Sequence, residues 1–290
     1  MRKLLLQLDS SPQPSVFDRV VALDGGADEV MSYGGVDAGA VRDLVHGAIF
    51  TRGPKDLHHT AIFIGGTDMS VGERLLAAVR AAFFGPLRVS VMLDSNGSNT
   101  TAVAAVAKLQ QAAGNLQDRR AVITAGTGSV GLRAAGLLAQ AGADVAVTSR
   151  RPEAGMRAVD AIRQRFGATV RAVTMPDSSR AAAVLQGAEL LLNAGLAGVC
   201  LVPRDAWARR AGLRVAVDLN AVPPLGVEGI EVQDEGVERD GVKAFGALAV
   251  GKLKMKIHKA CIARLFGHND LVLDVETIAE IARDLATPRG

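Results

Sequence analysis

Short apolar runs alternate with longer segments of helical periodicity along the whole chain. In residues 1–105 the apolar runs are KLLLQLD, EVMSY, TAIFIGG and RVSVMLD, and each is followed by a segment with helical spacing. The segment after the third run carries large apolar residues at every fourth position, at Val71, Leu75, Val79 and Phe83, which predicts one buried stripe on a helix. Because strands joined by such helices pair in parallel through right-handed crossovers, residues 1–105 are predicted to form a parallel α/β domain.

The same alternation continues in residues 106–250, with six further apolar runs. These runs are RAVITAG, DVAVTSR, TVRAVTM, AELLLNAG, RVAVDLN and AFGALAVG. Six strands of this kind predict a Rossmann-type doubly wound parallel sheet, with a cleft between it and the first domain. A helix over about residues 99–114 is expected to join the two domains. Residues 251–290 are predicted to form two helices that pack at the domain junction.

A glycine-rich turn opens the second domain, in the segment AVITAGTGSVGLRAAGLLAQAG. A strand precedes this turn, and a helix and a second strand follow it, which is the context of a dinucleotide-binding turn. Gly126 permits the tight turn, Gly128 lets the backbone approach a pyrophosphate, and Gly131 lets the helix press onto the strand. The alternative is a purely structural turn. The predicted cofactor-binding residues of the turn are Gly126, Thr127, Gly128, Ser129, Val130 and Gly131.

The strand DVAVTSR ends in Ser149 and Arg150, and Arg151 follows, about twenty residues after the glycine turn. An acidic residue at this place would hydrogen-bond the ribose hydroxyls of NAD, but it would repel the additional phosphate of NADP. Two arginines attract that phosphate and can stack on adenine. The segment therefore predicts NADP as the cofactor, and the alternative is a solvated basic helix start.

Two later strands of the second domain also end in polar or small residues. Asn193, Ala194 and Gly195 end the fourth apolar run, and Asp218 and Asn220 lie at the end of the fifth. The carboxyl edge of a doubly wound sheet faces the dinucleotide, so these residues are predicted to line the nicotinamide half of the site. The alternative is that they simply terminate buried strands.

Polar residues are dense at two strand ends of the first domain, in MLDSNGSNTTA and in SSPQPSVFD. One helix N-cap needs a single polar side chain, so this density favours hydrogen-bonding walls around a flat polar heterocycle. Caps and turns are an equally weighted alternative. The candidate residues of these loops are Phe17, Asp18, Asp94, Asn96, Ser98, Asn99 and Thr100.

Composition narrows the function classes. The chain has 290 residues, with 33 basic and 30 acidic side chains, and no long basic or aromatic-interleaved run, so nucleic acid is not an expected partner. No apolar window approaches the length of a membrane span. Cys200 and Cys261 lack CxxC spacing, and no histidine–cysteine–acid cluster has metal-ligand spacing. We expect a cytoplasmic protein with reduced cysteines, no metal and no membrane segment.

Several of these segments together resemble one family of enzymes. They are PSVFD, DGGAD, TAIFIGG, FFGP, MLDSNGSNTTA, AGTGSVG, DLNAVPPLGVEGI, AFGALAVG and KLKMKIHKACIA, and they extend over nearly the whole chain. The chain is thereby similar to the NADP-dependent methylene-tetrahydromethanopterin/methylene-tetrahydrofolate dehydrogenases of methylotrophic bacteria. The resemblance implies a pterin substrate held in the cleft, a homotrimer whose active site borrows from a neighbouring subunit, and reversible oxidation of a methylene to a methenyl group with NADP. It leaves open whether the carrier is methanopterin or folate.

The related bifunctional dehydrogenase/cyclohydrolase group uses a tyrosine and a lysine four residues later. The single tyrosine of this chain is Tyr33, and the fourth residue after it is Asp37. This departure argues against a cyclohydrolase activity.

The implied reaction needs no general base, because the product cation is delocalised over two nitrogens and no proton leaves. Asp18 and Asp94 are candidates for stabilising that cation or anchoring the pterin, and Lys254 is a candidate contact in the segment GKLKMKIHKACIARLF. The resemblance favours Lys256 of the same segment as a substrate-orienting residue. The alternative for both lysines is a solvated basic helix face.

Two other functions remain open from the sequence. One is an NADP-dependent shikimate- or amino-acid-type dehydrogenase on the same two-domain plan, which needs a general acid or base. The other is a non-catalytic NADP-binding sensor, in which the DSNGSNTT segment would have no substrate to hold.

Overall fold

A computed structural model describes residues 1–286 as twelve strands and ten α-helices within that range. The strands are β1 (Leu4–Asp9), β2 (Glu29–Tyr33), β3 (Thr60–Gly65), β4 (Ser90–Leu93), β5 (Arg120–Thr124), β6 (Asp144–Ser149), β7 (Arg171–Thr174), β8 (Leu190–Asn193), β9 (Val215–Asp218), β10 (Glu235–Arg239), β11 (Val242–Phe245) and β12 (Val272–Leu273). The helices are α1 (Val16–Asp24), α2 (Val41–Ile49), α3 (Met69–Ala82), α4 (Ser98–Ala113), α5 (Ser129–Gln140), α6 (Pro152–Phe166), α7 (Ala181–Val184), α8 (Arg204–Trp207), α9 (Ala247–Leu265) and α10 (Val275–Ala286).

The chain divides into two compact units. The first contains Met1–Thr100 and the chain from Met255 onward, and the second contains Thr101–Lys254. The boundary between them therefore falls inside α4 and again inside α9. The predicted helix over about residues 99–114 is confirmed as α4.

The first unit is built on a five-stranded sheet in the order β12-β4-β3-β1-β2, in which all pairs are parallel. Every residue of the central strand β3 is buried, as expected for a parallel sheet covered on both faces. Leu75 and Val79 of the predicted α3 stripe are fully buried in the core of this unit, and Val71 and Phe83 pack against it. The predicted parallel α/β architecture of this part of the chain is confirmed, and strand β12 from the C-terminal part adds to its sheet.

The second unit contains a seven-stranded sheet in the order β10-β11-β9-β8-β5-β6-β7. The order reverses at β5, from which β6 and β7 extend to one side and β8 and β9 to the other, so the doubly wound arrangement is confirmed. All its pairs are parallel except the edge pair of β10 and β11, which is antiparallel.

The six predicted parallel strands are confirmed as β5, β6, β7, β8, β9 and β11, and the sheet differs from the prediction in two places. The segment AFGALAVG is not one strand, because β11 ends at Phe245 and α9 begins at Ala247. Gly246 lies between them, where any Cβ would collide with the backbone of Glu231 and Val232. Strand β10 was missed because its first four residues are exposed and its sequence, EGVER, carries no apolar run. No helix within residues 1–286 is long and apolar enough to cross a membrane.

Candidate dinucleotide and substrate sites

The glycine turn joins β5 to α5 with the tight packing that its sequence predicts. A Cβ on Gly126 would lie 2.7 Å from Cβ of Val147, and a Cβ on Gly131 would lie 2.7 Å from Cα of Gly126. Gly128 differs, because a Cβ there would meet only the Ala125 carbonyl oxygen, at 3.8 Å. Two of the glycines are therefore required for helix–strand contact, and the third borders open space where a ligand can approach.

Helix α5 begins directly after this turn, so its amino end lies at the turn. Gly128 is the N-cap residue of the helix and has no side chain with which to cap it. The first turn of a helix presents N–H groups and a partial positive charge, which together favour an anion such as a pyrophosphate. The predicted turn residues Thr127, Ser129 and Val130 are all partly exposed at this end. The turn and helix thus fit the dinucleotide phosphates that the sequence predicts.

Ser149 shapes the turn after β6, and the two arginines that follow reach solvent. The Ser149 side chain is 7% exposed; its Oγ donates to the Arg151 carbonyl at 2.8 Å and accepts from the Arg151 N–H at 3.3 Å. Arg150 and Arg151 are exposed, and within residues 1–286 neither guanidinium pairs with a carboxylate. Their charge is therefore available to an anion at the carboxyl end of β6.

The polar residues that end β8 and β9 bond to each other. Thr124 Oγ1 donates to Asn193 Oδ1 at 2.7 Å, and Asn193 Nδ2 donates to Asp218 Oδ1 at 2.7 Å. The second oxygen of Asp218 accepts the Val227 N–H at 2.9 Å. Asn193, Asp218 and Asn220 are all nearly inaccessible to solvent. Their side chains tie adjacent strand ends together, which is the structural alternative that the sequence left open.

Asn220 ties two loops at the same edge of the sheet. Its Oδ1 accepts the Gly198 and Val222 N–H groups at 3.4 and 2.9 Å, and its Nδ2 donates to the Pro224 carbonyl at 3.1 Å. Ala194 and Gly195, on the loop after β8, are half-buried. Of the residues predicted beside the nicotinamide, these two are the ones that remain accessible.

In the first unit, the carboxyl ends of β1 and β3 and the start of α1 meet at one edge. A Cβ on Gly65 would lie 3.2 Å from Asp9 Oδ2 and 3.6 Å from Asp18 Oδ2, so two carboxylates lie beside the end of β3. Asp18 is half-buried, and its backbone N–H donates to Ser15 Oγ at 3.2 Å. Phe17, beside it on α1, is 49% exposed. The two residues that the sequence singled out here are therefore accessible together.

Asp9 is a residue of this edge that the sequence reading missed. It is almost fully buried, and its two carboxylate oxygens accept the Ser11 and Ser15 N–H groups at 2.8 and 3.0 Å. It holds the SSPQPS loop over the end of β1 and so positions the start of α1. The sequence feature that could have identified Asp9 is its place at the end of a strand, directly before a loop rich in serine and proline.

Most polar side chains of the loop after β4 are buried and hydrogen-bond within the protein. Asp94, Ser98, Asn99 and Thr100 are completely buried. Thr100 donates to Asp94 through its N–H at 3.0 Å and through Oγ1 at 2.6 Å. Asn99 Nδ2 donates to the Leu93 carbonyl at 2.6 Å and to Asp274 Oδ1 at 3.0 Å. These side chains shape the loop, and Asn96 is the predicted residue of this loop that solvent reaches.

The lysine-rich segment is helical throughout. Lys254 is half-buried and Lys256 is exposed, both in the middle of α9. His258, two residues further along, is buried; its Nδ1 lies 3.9 Å from Asp94 Oδ2, and its ring stacks on Phe63 with centroids 5.4 Å apart. The sequence assigned this histidine no role, because its partner lies far away along the chain.

The parallel first sheet, the doubly wound second sheet and the glycine turn define a two-unit α/β protein with a nucleotide-binding type of sheet. Residues 16–96 match the family model described as methylene-tetrahydromethanopterin dehydrogenase, N-terminal. Together with two curated relatives that are 48% and 33% identical over 98% of the chain, this match shows that the chain belongs to the methylene-tetrahydromethanopterin dehydrogenase family.

Two curated relatives come from Methylorubrum extorquens. One, named bifunctional protein MdtA, is 48% identical over 98% of this chain and 99% of its own length. The other, named NAD(P)-dependent methylenetetrahydromethanopterin dehydrogenase, is 33% identical over 98% of this chain and 99% of its own. The similarity therefore includes both units and both candidate sites.

Solved structures share the fold at much lower identity. A shikimate 5-dehydrogenase from Listeria monocytogenes, crystallised with shikimate and NAD, superposes with a TM-score of 0.58 at 13% identity. The match covers 97% of this chain and 96% of that one. The two-sheet plan is thus shared with a different dehydrogenase, and the chemistry must be argued from the residues of the site.

Proposed function

We propose that this chain catalyses reversible hydride transfer from methylene-tetrahydromethanopterin, methylene-tetrahydrofolate or both to NADP. The observation that carries the proposal is the membership of the whole chain in the methylene-tetrahydromethanopterin dehydrogenase family. This membership favours the pterin reaction over the shikimate-type and sensor hypotheses, since the likeness to shikimate dehydrogenase is one of fold alone.

NADP would lie along the carboxyl edge of the second sheet. The open space at Gly128 and the uncapped start of α5 fit its pyrophosphate. Arg150 and Arg151 would bind the 2′-phosphate, and Ser149 would hold the turn that presents them. Ala194 and Gly195 would border the nicotinamide, on a loop fixed by Asn220. Asn193 and Asp218 would keep the strand ends in place.

When bound, NADP supplies the nicotinamide C4 that accepts the hydride. The bond that breaks is a C–H bond of the substrate methylene carbon, whose two flanking nitrogens share the resulting positive charge. No proton is released, so the protein needs no general base. Its residues must hold the two reacting carbons near each other, exclude water and present a field that favours the cation.

The substrate would be held by accessible polar, charged and aromatic side chains. Asp18 would face the cation or the pterin N–H groups, with Phe17 as an apolar contact beside it. Asn96 would hydrogen-bond the ring edge from the loop after β4, and Ser98, Asn99 and Thr100 would support that loop. Lys256 would orient the substrate from α9, and Lys254 would contact its anionic tail.

The active oligomer would be a homotrimer. Helix α1 supports association, because Val16, Val20 and Leu23 repeat at helical spacing and are 74%, 51% and 45% exposed. Val20→Glu should then dissociate the oligomer in light scattering without unfolding the chain. The two free cysteines, Cys200 and Cys261, fit the reducing cytoplasm that we propose as its compartment.

The direct test is an NADP reduction assay with methylene-tetrahydromethanopterin and methylene-tetrahydrofolate side by side, repeated with NAD. We expect NADPH to form with at least one carrier and much more slowly with NAD. Shikimate and quinate serve as control substrates on the same fold. Activity with these controls and none with either methylene carrier would overturn the proposal.

A further inference from the structure

His258 and Asp94 meet in the interior of the first unit, where the side chains are 1% and 0% exposed. Nδ1 of His258 lies 3.9 Å from Oδ2 of Asp94, and the imidazole stacks on Phe63 at an interplanar angle of 20°. The three residues come from the end of β4, from β3 and from α9. A charged group at this depth is costly unless a partner compensates it, so the contact needs an explanation.

Asp94 organises the loop that carries Asn96. One of its oxygens accepts a hydrogen bond from the Thr100 N–H and the other accepts one from the Thr100 hydroxyl, which fixes the first turn of α4. Between these residues the chain makes a left-handed turn at Asn96, with φ of 54°, and the Asn96 N–H donates to the Gly66 carbonyl. The buried carboxylate therefore determines where the exposed Asn96 side chain is presented.

His258 belongs to the helix that carries Lys256, two residues earlier. The Asp94 carboxylate also acts on this helix electrostatically, because it adds to burial in raising the pKa of the Cys261 thiol, which lies one turn further along. Through its 3.9 Å approach to His258 Nδ1, the carboxylate that shapes the Asn96 loop also contacts the Lys256 helix.

We propose that His258 and Asp94 form a buried positioning pair that fixes the Asn96 loop against α9, so that Asn96 and Lys256 approach the substrate in a constant geometry. The inference rests on the proposed function and deepens it: Asp94 acts through the loop, and His258 through the helix, without either touching the pterin. The pair is not a proton relay, since the reaction releases no proton.

The decisive experiment compares His258→Gln and His258→Asn in the full chain. The terminal atoms of asparagine occupy the region of Nδ1, which faces Asp94, whereas those of glutamine occupy the region of Nε2. We expect His258→Gln to lower kcat with the methylene carrier about tenfold and His258→Asn to retain most of it, with the KM for NADP changed less than about twofold in both.

Ile262→Ala is the matched control, because Ile262 is equally buried on α9 but belongs to no polar pair. It should destabilise the fold and keep kcat within about twofold of the wild type. A kcat of His258→Gln equal to that of the wild type, or an equal loss in Ile262→Ala, would refute the positioning role.

A double-mutant cycle tests the link itself. His258→Gln combined with Asp94→Asn should be no slower than the slower single variant, because either change already breaks the pair. Multiplicative losses in kcat would show that the two residues act independently and would overturn the pair.

An activity-independent measurement separates this inference from the proposed function. In the full chain with ¹⁵N-labelled histidine, Asp94→Asn should shift the ring signals of His258, assigned through their loss in His258→Gln. Unshifted signals would overturn the pair. If the wild-type chain reduces NADP with neither carrier, the proposed function fails, and the nuclear magnetic resonance comparison still decides whether the pair exists.

Discussion

The Oγ of Ser149 donates a 2.8 Å hydrogen bond to the carbonyl of Arg151, two residues further along the chain. The bond closes the turn between β6 and α6 and leaves the Arg151 side chain, with that of Arg150, in solvent. An NAD-specific site would have an acidic side chain at this turn to bind the ribose hydroxyls. Here a neutral hydroxyl bonds the backbone, and the charge at the strand end is positive.

Replacing Arg150 and Arg151 by alanine should therefore change cofactor preference. Each charge-assisted phosphate contact contributes about 1.5–3 kcal/mol, so the KM for NADP should rise by a factor of ten or more. The KM for NAD should change little, because NAD lacks the phosphate. Steady-state kinetics with both cofactors checks the expectation, with Arg157→Ala, an exposed arginine on α6, as the control. Equal changes for the two cofactors would contradict the assignment.

The glycine turn allows folding and binding to be tested separately. Gly131→Ala should lower the free energy of unfolding by about 1–3 kcal/mol, because the new methyl group meets the Gly126 backbone. Gly128→Ala should cost less than about 1 kcal/mol, since the nearest atom is 3.8 Å away and φ is −79°. It should instead weaken NADP binding by blocking the approach of the pyrophosphate. Calorimetric titration and thermal unfolding of the same two variants distinguish these effects.

Two features of the second unit, the glycine turn and the end of β6, could be predicted from the sequence. The glycine turn and the end of β6 depend on short contiguous segments, whose periodicity and glycine spacing are visible in the chain. Strand β10 was not predictable in the same way, because an exposed antiparallel edge strand needs no apolar run. The segment AFGALAVG is apolar throughout, so periodicity alone could not separate its strand from its helix.

The candidate sites were predicted only in part. The polar residues after β4, β8 and β9 were identified, but their burial was not, because a polar side chain looks the same in sequence whether it faces a ligand or a strand end. Asp218 and Asn193, for example, bond each other across adjacent strands. The contact between Asp94 and His258 is also invisible in the sequence, since it depends on how α9 packs against the first sheet.

The pH dependence of turnover should distinguish the proposed reaction from a carbonyl-reducing dehydrogenase. Hydride loss from the methylene carbon releases no proton, so kcat should change less than about twofold between roughly pH 6 and 9. A shikimate-type enzyme needs an acid or base whose titration shapes the profile. A rate profile measured in constant-ionic-strength buffers checks this, and an activity that follows a single titrating group across that range would contradict it.

Cys261 should make the fold sensitive to alkali. Burial raises the pKa of its thiol, and the Asp94 carboxylate raises it further. Below about pH 8.5 the thiol is protonated in both the folded and the unfolded chain, so it contributes no pH dependence. At higher pH the unfolded chain loses this proton while the folded chain keeps it. The free energy of unfolding should therefore fall as pH rises, by up to about 1.4 kcal/mol per pH unit from this group.

Cys261→Ala isolates this contribution from the other groups that titrate in alkali. At pH 8 the variant should be less stable than the wild type, because it loses buried volume in α9. At about pH 10 the difference in free energy of unfolding between the variant and the wild type should be smaller by more than 1 kcal/mol. The reason is that only the wild type has a buried thiol that must stay protonated in the folded chain. Urea unfolding of both proteins at the two pH values measures the difference. A deficit that stays constant would mean that the thiol ionises as readily in the folded chain as in the unfolded one, and it would contradict the prediction.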